Sequence, residues 1–569
     1  MSPQTRLFAA TFKRALRQPT APGQHLSLGL AAALGLTAVT VVGAGVVHLD
    51  ASVPKKTVPA PVEAQQDPGK SLTAWSWGTN DYKVASSSAA TGNTIRSPQP
   101  LPHLSGVALR DLALHEKHGA CVDAAGNVYQ WGDGFFEATV EGARQPKLTL
   151  KGKDIKSLSV TAKKVYALSN SGKVYVLSAD ESRQWDVKPK PSSWWTLSWL
   201  WRSEPTVDHV ELKPDSPMAK RERITSISAG RDHVLALTSA GRTFTHAANA
   251  NANAYGQLGI NYILIPSPSD PHTQVPVDLI PKAAKDPLEK STPYVRPSAG
   301  SAIDVGDDTD IKWSTRLYEI PSLKGVQAKQ VVAGGRSSYL LTAEGGRVLA
   351  WGANEYGQLG LGAKVNLTAV SIPTEVVLSR PYPRGTPVKC THISAGGDIV
   401  YFTVERTLLG EKAAAVDVLA AGMGQWGLLG NGLYNQVQGQ PAKVKAISGI
   451  MEYNDSTKAL EALPPKAISV SPTGHVVVTL DAISDTNAGY DVLAWGQNRS
   501  YELGNGKQVP APLPGYVKSF RPEPGSRLMV RETKEVVRDL KGKVRGRKVP
   551  VQETVVTGWG CTVVYWKIV

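Results

Sequence analysis

The sequence has few cysteines, and its first residues include no acidic ones. Its three cysteines, Cys121, Cys390 and Cys561, show no Cys-x-x-Cys spacing, so neither a disulfide framework nor a zinc site is supported. Asp and Glu are missing from residues 1–49, and the net charge of +15 favours anionic partners such as nucleic acid or acidic lipid. GxSxG and HExxH signatures are also missing, so we predict a non-enzyme with no catalytic residue, metal site or cofactor.

The acid-free beginning of the chain has the pattern of a mitochondrial presequence. On a helix of about 3.6 residues per turn, basic residues would share one face and apolar residues the opposite one. The basic residues are Arg6, Lys13 and Arg17, and the apolar ones are Phe8, Phe12 and Leu16. We predict a presequence over residues 1–25, and a solvated basic tail is the alternative.

An uncharged run follows at residues 26–47, long enough as a helix to cross a hydrocarbon core of about 30 Å. We predict a single transmembrane helix here, because the apolar core of a secretory signal would be shorter, about 7–15 residues. A Pro-, Ala- and Gln-rich linker over residues 48–71 would separate the span from the folded part. Basic residues before the span slightly favour a folded part in the intermembrane space, whereas Lys55 and Lys56 oppose this.

A repeat occupies the rest of the chain. The stretch VLAWGANEYGQLGLG, at residues 348–362, recurs in altered form at 418–432 and 492–506, and an eroded copy ends at Ile260. Each repeat unit begins with a short apolar strand and a turn. A second strand, in which apolar and polar residues alternate, then leads through a hairpin turn with glycine to the third strand, which carries the Trp-Gly position. Such long periods indicate supersecondary units that bury their apolar faces against each other.

These repeats resemble those of the regulator of chromosome condensation family, whose fold is a seven-bladed β-propeller. The third unit lacks Trp-Gly, and the sixth has Ala421 in place of the tryptophan. The repeat signature, which we interpret as structural, comprises Trp77, Gly78, Trp131, Gly132, Gly230, Gly256, Gly334, Trp351, Gly352, Gly357, Gly360, Gly396, Gly427, Gly430, Trp495, Gly496 and Gly504. We therefore predict an all-β, seven-bladed propeller over residues 72–569, preceded by one transmembrane helix, with one blade built from both chain ends.

Three histidines, His118, His233 and His475, occupy the same position in three different units. On separate blades they could not meet at one metal ion, so we predict that each makes a structural hydrogen bond inside its own repeat. The run at residues 541–548 concentrates five positive charges. It could contact phosphate or anionic lipid, but a charged hairpin on a blade edge is the commoner role.

Two insertions, at about residues 179–223 and 261–316, interrupt the repeats and should project from the propeller. The first contains the stretch WWTLSWLW, whose candidate membrane or partner contacts are Trp194, Trp195, Leu197, Trp199, Leu200 and Trp201. Four indoles of about 150–250 Å² each need cover. Packing against the propeller, contact with the membrane interface and contact with a partner protein all remain open.

The resemblance implies binding rather than catalysis. Fungal mitochondrial members are implicated in assembly of respiratory complex III, and other mitochondrial relatives in ribosome biogenesis. We predict a scaffold, tethered to the mitochondrial inner membrane by a single span, that assembles a respiratory complex, with complex III as the first choice and its subunits or assembly factors as partners. The alternatives are guanine-nucleotide exchange on a GTPase, as in the founding branch, and binding of mitochondrial RNA or ribosomes; we expect no DNA partner.

Overall fold

The computed structural model describes residues 72–87, 92–136, 145–187, 206–267, 273–281, 295–297, 306–365, 367–407, 414–454, 456–482, 489–519 and 527–569. The predicted presequence, span and linker lie outside these residues, as do the six candidate contacts of the tryptophan-rich stretch. Within the described part of the chain, no helix has the length and apolar character needed to cross a bilayer.

The described residues form an all-β structure. Strands of the first part are β1 (Trp75–Thr79), β2 (Thr94–Pro100), β3 (Asp111–Leu114), β4 (Gly119–Val122), β5 (Val128–Trp131), β6 (Lys147–Leu150), β7 (Ile155–Val160), β8 (Lys164–Ser169), β9 (Val174–Ser178), β10 (Asp186–Val187), β11 (Thr206–Val207), β12 (Val210–Pro214), β13 (Ile224–Ala229), β14 (His233–Thr238), β15 (Thr243–Ala247), β16 (Tyr262–Pro266), β17 (Gln274–Leu279), β18 (Val295–Pro297) and β19 (Arg316–Glu319).

The remaining strands are β20 (Ala328–Ala333), β21 (Ser337–Thr342), β22 (Val348–Ala353), β23 (Ala369–Val376), β24 (Val388–Gly396), β25 (Ile399–Arg406), β26 (Ala415–Gly422), β27 (Gln438–Lys443), β28 (Met451–Asn454), β29 (Ala459–Ala462), β30 (Pro465–Val470), β31 (His475–Leu480), β32 (Tyr490–Gly496), β33 (Ala511–Tyr516), β34 (Met529–Val530), β35 (Glu532–Arg538), β36 (Val544–Thr557) and β37 (Cys561–Ile568). Helical structure in this part of the chain consists of short 3₁₀ turns at Pro102–Leu104, Glu181–Arg183, Pro321–Leu323, Gln425–Gly427 and Lys445–Ile447.

Most strands belong to blade-like sheets in which successive strands pair in antiparallel fashion. Three such sheets have the simple orders β3-β4-β5-β6, β20-β21-β22-β23 and β24-β25-β26-β27, and a fourth runs β30-β31-β32-β33 with β34 beside β32. Another sheet has eight strands in the order β13-β14-β15-β19-β12-β9-β8-β7. Its two halves meet through a parallel pairing of β12 with β19, and we call it the double sheet.

The two ends of the described chain share one sheet, as the repeat pattern predicts. This closing sheet has the order β2-β1-β37-β36-β35, so β1 lies directly beside β37. Trp75 pairs with Val564 and Gly78 with Cys561 across these two strands. The pairing leaves neither β1 nor β37 as a free edge, which would otherwise be open to pairing with another molecule.

The sheets surround a common axis. The strands nearest the axis are β3, β7, β13, β20, β24, β30 and β36; each contacts the next, and β36 contacts β3. Apolar clusters lie between neighbouring sheets rather than within one. One of them joins Tyr339 and Leu341 of β21 to Val400 and Phe402 of β25. Each sheet therefore depends on its neighbours for burial, as in other repeat architectures.

The predicted insertions contribute to this structure in different ways. In the first, β12 pairs with β9 and is thus a strand of the double sheet. In the second, β16, β17 and β18 form a separate small sheet. Ile263, Ile265 and Val277 of that sheet are completely buried in a cluster with Ala247 and Tyr318, which lie in the double sheet. This part of the second insertion therefore packs against neighbouring residues.

Candidate functional site

A central cavity of about 410 Å³ opens along the propeller axis. All seven inner strands, or the turns that follow them, contribute to its lining. Three signature glycines, Gly230, Gly334 and Gly396, each follow an alanine, and these Ala-Gly pairs line the cavity at the ends of β13, β20 and β24. A Cβ atom on Gly230 would lie 2.4 Å from the carbonyl oxygen of Gly334, and one on Gly396 the same distance from that of Val470. Glycine at these positions thus allows neighbouring inner strands to approach closely.

The turns after the inner strands surround one end of the cavity, which we call the channel mouth. Four turns that follow each other around the ring carry cations: Lys117, Lys163, Arg231 and Arg336. Arg336 is engaged, since it donates to the hydroxyl of Tyr255 at 2.7 Å and lies 3.3 Å from Glu355. Lys163 and Arg231 are exposed, and their side chains have no ion pair or hydrogen bond within the described residues. These two cations remain available to an anionic group of a partner.

An aromatic corner adjoins the cationic turns. The rings of His115 and Trp559 lie 4.9 Å apart, and those of His115 and His118 lie 5.2 Å apart. Burial, followed by the positive charges of Arg231 and Lys117, lowers the pKa of His115 to about 4. His115 is therefore neutral at physiological pH, and together with Trp559 it presents an uncharged aromatic surface.

Beyond Trp559 lies a second pocket, of about 190 Å³, between the closing sheet and its neighbours. Its lining includes three acidic residues, the exposed Asp81 and Glu116 and the buried Glu502. Burial raises the pKa of Glu502, whose carboxylate accepts a hydrogen bond from the backbone nitrogen of Ser500 at 2.7 Å. Trp559 lines both cavities, so the channel mouth has a cationic side and an acidic side with an indole between them. Such a surface suits a polypeptide with charges of both signs.

The signature tryptophans join neighbouring sheets. Each is at most 1% exposed, and its indole nitrogen donates to a backbone carbonyl in the loop of the preceding sheet. The donor–acceptor pairs are Trp77 to Glu502 at 2.7 Å, Trp131 to Val84 at 3.0 Å, Trp351 to Gln257 at 2.9 Å and Trp495 to Leu428 at 2.8 Å. Where Ala421 replaces the tryptophan, the hydroxyl of Tyr339 donates to the corresponding carbonyl of Gln358 at 2.8 Å.

The signature glycines outside the Ala-Gly pairs all have positive φ. Those of the Trp-Gly pairs, Gly78, Gly132, Gly352 and Gly496, have φ between 100° and 105°. Those of the following loops, Gly256, Gly357, Gly360, Gly427, Gly430 and Gly504, have φ between 63° and 79°. A Cβ on Gly357 would lie 2.4 Å from the Cα of Gly439, in the next sheet. These glycines therefore satisfy both a backbone conformation and a close contact.

The histidine prediction was wrong about where the hydrogen bonds go. His233 bonds to the hydroxyl of Ser338 at 2.9 Å, and His475 bonds to that of Thr562 at 3.0 Å, so both bonds reach the next sheet. His118 has no such bond, and its Nε2 is buried without a partner in the described residues. Val165 occupies the position equivalent to Ser338 and Thr562, at the second residue of its strand, and offers no hydroxyl. The histidines therefore connect sheets wherever the neighbour carries a hydroxyl.

These buried histidines predict acid sensitivity. Burial lowers the pKa of His233 and His475 to about 3, below the value of about 6.5 expected in the unfolded chain. The unfolded state thus takes up protons first, so the stabilisation is complete above about pH 6.5 and is lost as the pH falls towards 3. Each such histidine should cost about 1.4 kcal/mol between pH 7.5 and pH 5.5. We expect the urea midpoint to be lower at about pH 5.5 than at about pH 7.5.

Variants of single histidines test whether the buried imidazoles cause this acid sensitivity. His475→Gln should show a smaller fall in urea midpoint between the two pH values, because one buried imidazole is gone. His209→Gln is the matched control, since His209 is only partly buried. Equal falls in the wild type and both variants would contradict the assignment.

Sequence reasoning missed the channel mouth. Arg231 follows Gly230 directly, while Arg336 and Asp398 follow the glycine pairs 334–335 and 396–397. The shared position after the Ala-Gly pair was the available signal. The proposed contacts around Trp199 lie outside the described residues, so whether the tryptophan-rich stretch is core, membrane contact or partner contact stays a prediction.

Comparisons with known proteins agree with the repeat and the fold. A family model described as "Regulator of chromosome condensation (RCC1) repeat" matches residues 345–402, and a second model of that description matches residues 328–358. The structure is similar to that of Prp20p from Saccharomyces cerevisiae, with a TM-score of 0.51, 15% identity and coverage of 88% of this chain and 92% of that one. At this identity the similarity concerns the fold alone.

Two curated relatives are named as mitochondrial proteins. Protein FMP25, mitochondrial, of Saccharomyces cerevisiae is 23% identical over 491 residues, which cover 83% of this chain and 70% of that protein. RCC1 domain-containing protein RUG3, mitochondrial, of Arabidopsis thaliana is 23% identical over 311 residues; these cover 53% of this chain and about half, 54%, of the relative. The chain is thus a β-propeller protein with regulator of chromosome condensation repeats, homologous to mitochondrial proteins that carry them.

Proposed function

We propose that this protein is a non-catalytic docking scaffold of mitochondria, tethered to the inner membrane, that assists the assembly of a respiratory complex, complex III first of all. The observation that carries the proposal is the channel mouth, where turns from all around the ring present unpaired cations, an indole and an acidic pocket together. The mitochondrial relatives support the location.

The scaffold in this proposal is a seven-bladed propeller over residues 72–569. Support comes from the seven inner strands in mutual contact and from the double sheet, whose two antiparallel halves have four strands each. A rigid ring of this kind can hold several binding loops at fixed distances from each other. The protein would then act by keeping a subunit in place until its partner arrives.

The membrane part of the proposal rests on the sequence. Residues 1–25 would direct import, residues 26–47 would cross the inner membrane once, and residues 48–71 would link the span to the propeller. The propeller would face the intermembrane space, as the basic residues before the span favour.

The described cysteines support binding rather than nucleophilic chemistry. Cys121, Cys390 and Cys561 are all buried. Burial raises the pKa of Cys390 and of Cys561 to about 12, and it raises that of Cys121 well above its usual range. Thiols of this kind are protonated at neutral pH and react slowly.

Removal of the protein from cells is the direct test. We expect native gels to show less mature complex III, and we expect the wild-type chain to restore it. The double variant Arg231→Glu/Trp559→Ala should restore less than a tenth of that amount, because it reverses one unpaired cation and removes the indole of the channel mouth. Lys364→Glu is the control, since it changes an exposed lysine in the loop between β22 and β23.

The same experiment separates the proposal from its main alternative. Exposed, unpaired cations also favour RNA as a partner. Normal respiratory complexes together with a loss of mitochondrial ribosomes would contradict the assembly role and support RNA or ribosome binding. Full rescue by the double variant would contradict the assignment of the channel mouth.

A further inference from the structure

The basic run at residues 541–548 lies on a hairpin formed by β35 and β36. Five cations, Lys541, Lys543, Arg545, Arg547 and Lys548, are exposed along it. Arg545 pairs with Asp539 at 2.8 Å. The side chains of Lys543, Arg547 and Lys548 have no hydrogen bond or ion pair within the described residues. The hairpin therefore presents positive charge that its own surroundings do not neutralise.

The hairpin is held in place from both its tip and its base. Asp539, 2% exposed, accepts hydrogen bonds from the backbone nitrogens of Lys541 and Lys543 at 3.0 and 2.9 Å, which fixes the turn. On the other side of the hairpin, Val537 is buried and Val549 packs in the same apolar cluster. The cations thus sit on an ordered surface with one apolar side packed and one basic side exposed.

The position of the hairpin indicates what this surface meets. Leu72, the first described residue, is 1% exposed and packs in the same cluster as Val537, Val551 and Trp566. The chain therefore enters the propeller at the base of the basic hairpin. In β36, residues 551–557 pair with β37 and lead to Trp559 at the channel mouth, whereas residues 544–550 lie at the opposite end of the strand. The hairpin and the channel mouth consequently lie at opposite ends of the propeller axis.

We propose that this hairpin binds the anionic headgroups of the membrane that holds the protein, so that the channel mouth faces away from the bilayer. This inference rests on the tether of the proposed function. A random coil of about 24 residues, the length of the linker proposed over residues 48–71, has a root-mean-square span of about 25–30 Å, so the tether would hold the base of the hairpin close to the membrane surface. Cations near an anionic bilayer are attracted individually, and the attraction falls off within about 10 Å.

Vesicle sedimentation tests the proposal with a fragment of residues 65–569, a compact unit that contains every described strand. We expect the fragment to bind vesicles of phosphatidylcholine and phosphatidylglycerol at low salt, and not vesicles of phosphatidylcholine alone. Lys543→Gln/Arg547→Gln should weaken binding by about 10- to 30-fold, since each cation near an anionic surface contributes about fivefold.

The control variant removes the same charge at the other end of the axis. Lys364 and Lys507 are exposed in loops that follow third strands, which end on the side of the channel mouth. Lys364→Gln/Lys507→Gln should leave vesicle binding unchanged. Equal losses in both variants, equal binding to neutral vesicles, or no binding by the wild-type fragment would each overturn the proposal.

Two further arms separate neighbouring explanations. In the first experiment, single-stranded RNA replaces the vesicles. If the fragment bound RNA but not vesicles, and Lys543→Gln/Arg547→Gln weakened the RNA binding, the hairpin would be assigned to nucleic acid and the lipid proposal would be overturned. In the second, the full chain in mitochondria is extracted with alkaline carbonate. Release of the full chain would contradict the tether of the proposed function, while hairpin-dependent vesicle binding by the fragment would still support a lipid-binding surface.

Discussion

Trp77→Ala should lower the free energy of unfolding by about 3–5 kcal/mol, the range for loss of a buried tryptophan. Trp77 is completely buried in β1, and its indole nitrogen donates at 2.7 Å to the carbonyl of Glu502, 425 residues further along the chain. The substitution removes packing and a hydrogen bond in the sheet where the first and last described strands, β1 and β37, meet. Because folded proteins are stable by about 5–15 kcal/mol in total, this variant should lose a large part of its stability.

Urea unfolding of residues 65–569 measures this effect, with Trp185→Ala as the matched control. Trp185 is 73% exposed, so its removal should change the free energy of unfolding by no more than about 0.5 kcal/mol. Trp77→Phe should fall between the two, since it keeps most of the buried area but donates no hydrogen bond. Equal midpoints for Trp77→Ala and Trp185→Ala would contradict a role for Trp77 in closing the ring.

Gly352→Ala is the second substitution with a large expected effect, at least about 3 kcal/mol. Gly352 belongs to a Trp-Gly pair and has a φ of 103°, a conformation unfavourable for any residue with a Cβ. The new Cβ would also lie 2.6 Å from the carbonyl oxygen of Arg336, in the turn at the channel mouth. Backbone strain and steric overlap therefore act together at this position.

Two other glycines separate these contributions. Gly385 has a φ of 85° and open space around its Cβ position, so Gly385→Ala should cost only the conformational term, about 1–2 kcal/mol. Gly515 also has open space, without a positive φ, so Gly515→Ala should be neutral or stabilising by up to about 1 kcal/mol. The melting temperature should be highest for Gly515→Ala, intermediate for Gly385→Ala and lowest for Gly352→Ala. A Gly352 variant as stable as the Gly385 variant would contradict the close contact.

The repeat predicted the propeller because its signals are local. Each strand that ends against the next sheet carries the same local signal. This signal is a tryptophan followed at a fixed distance in the sequence by a glycine with positive φ, as at Trp351 and Gly357. The shared sheet of the two chain ends was predictable for a related reason. The first repeat unit contains only the strand with Trp-Gly, and the last unit contains the other strands but no Trp-Gly strand of its own. Together the two units therefore supply the strands of one complete blade.

The channel mouth and the double sheet could not be predicted in the same way. Arg231 and Trp559 are more than 300 residues apart, and only closure of the ring brings their turns to one opening. The parallel pairing of Lys213 with Arg316 joins a strand of the first insertion to the end of the second insertion, where no periodicity carries the register. The histidine bonds depend on hydroxyls of the neighbouring sheet, such as Ser338, which the pattern of a single unit does not reveal.

Closure of the ring by β1 and β37 puts Leu72 and the basic hairpin at one end of the axis and the channel mouth at the other. Hydrogen exchange of the β1 amides, with and without residues 561–569, tests closure most directly. We predict that the amides of Trp75–Thr79 are protected in the fragment of residues 65–569 and exchange rapidly once β37 is removed, with a lower unfolding midpoint. Unchanged protection and an unchanged midpoint after the truncation would contradict the account.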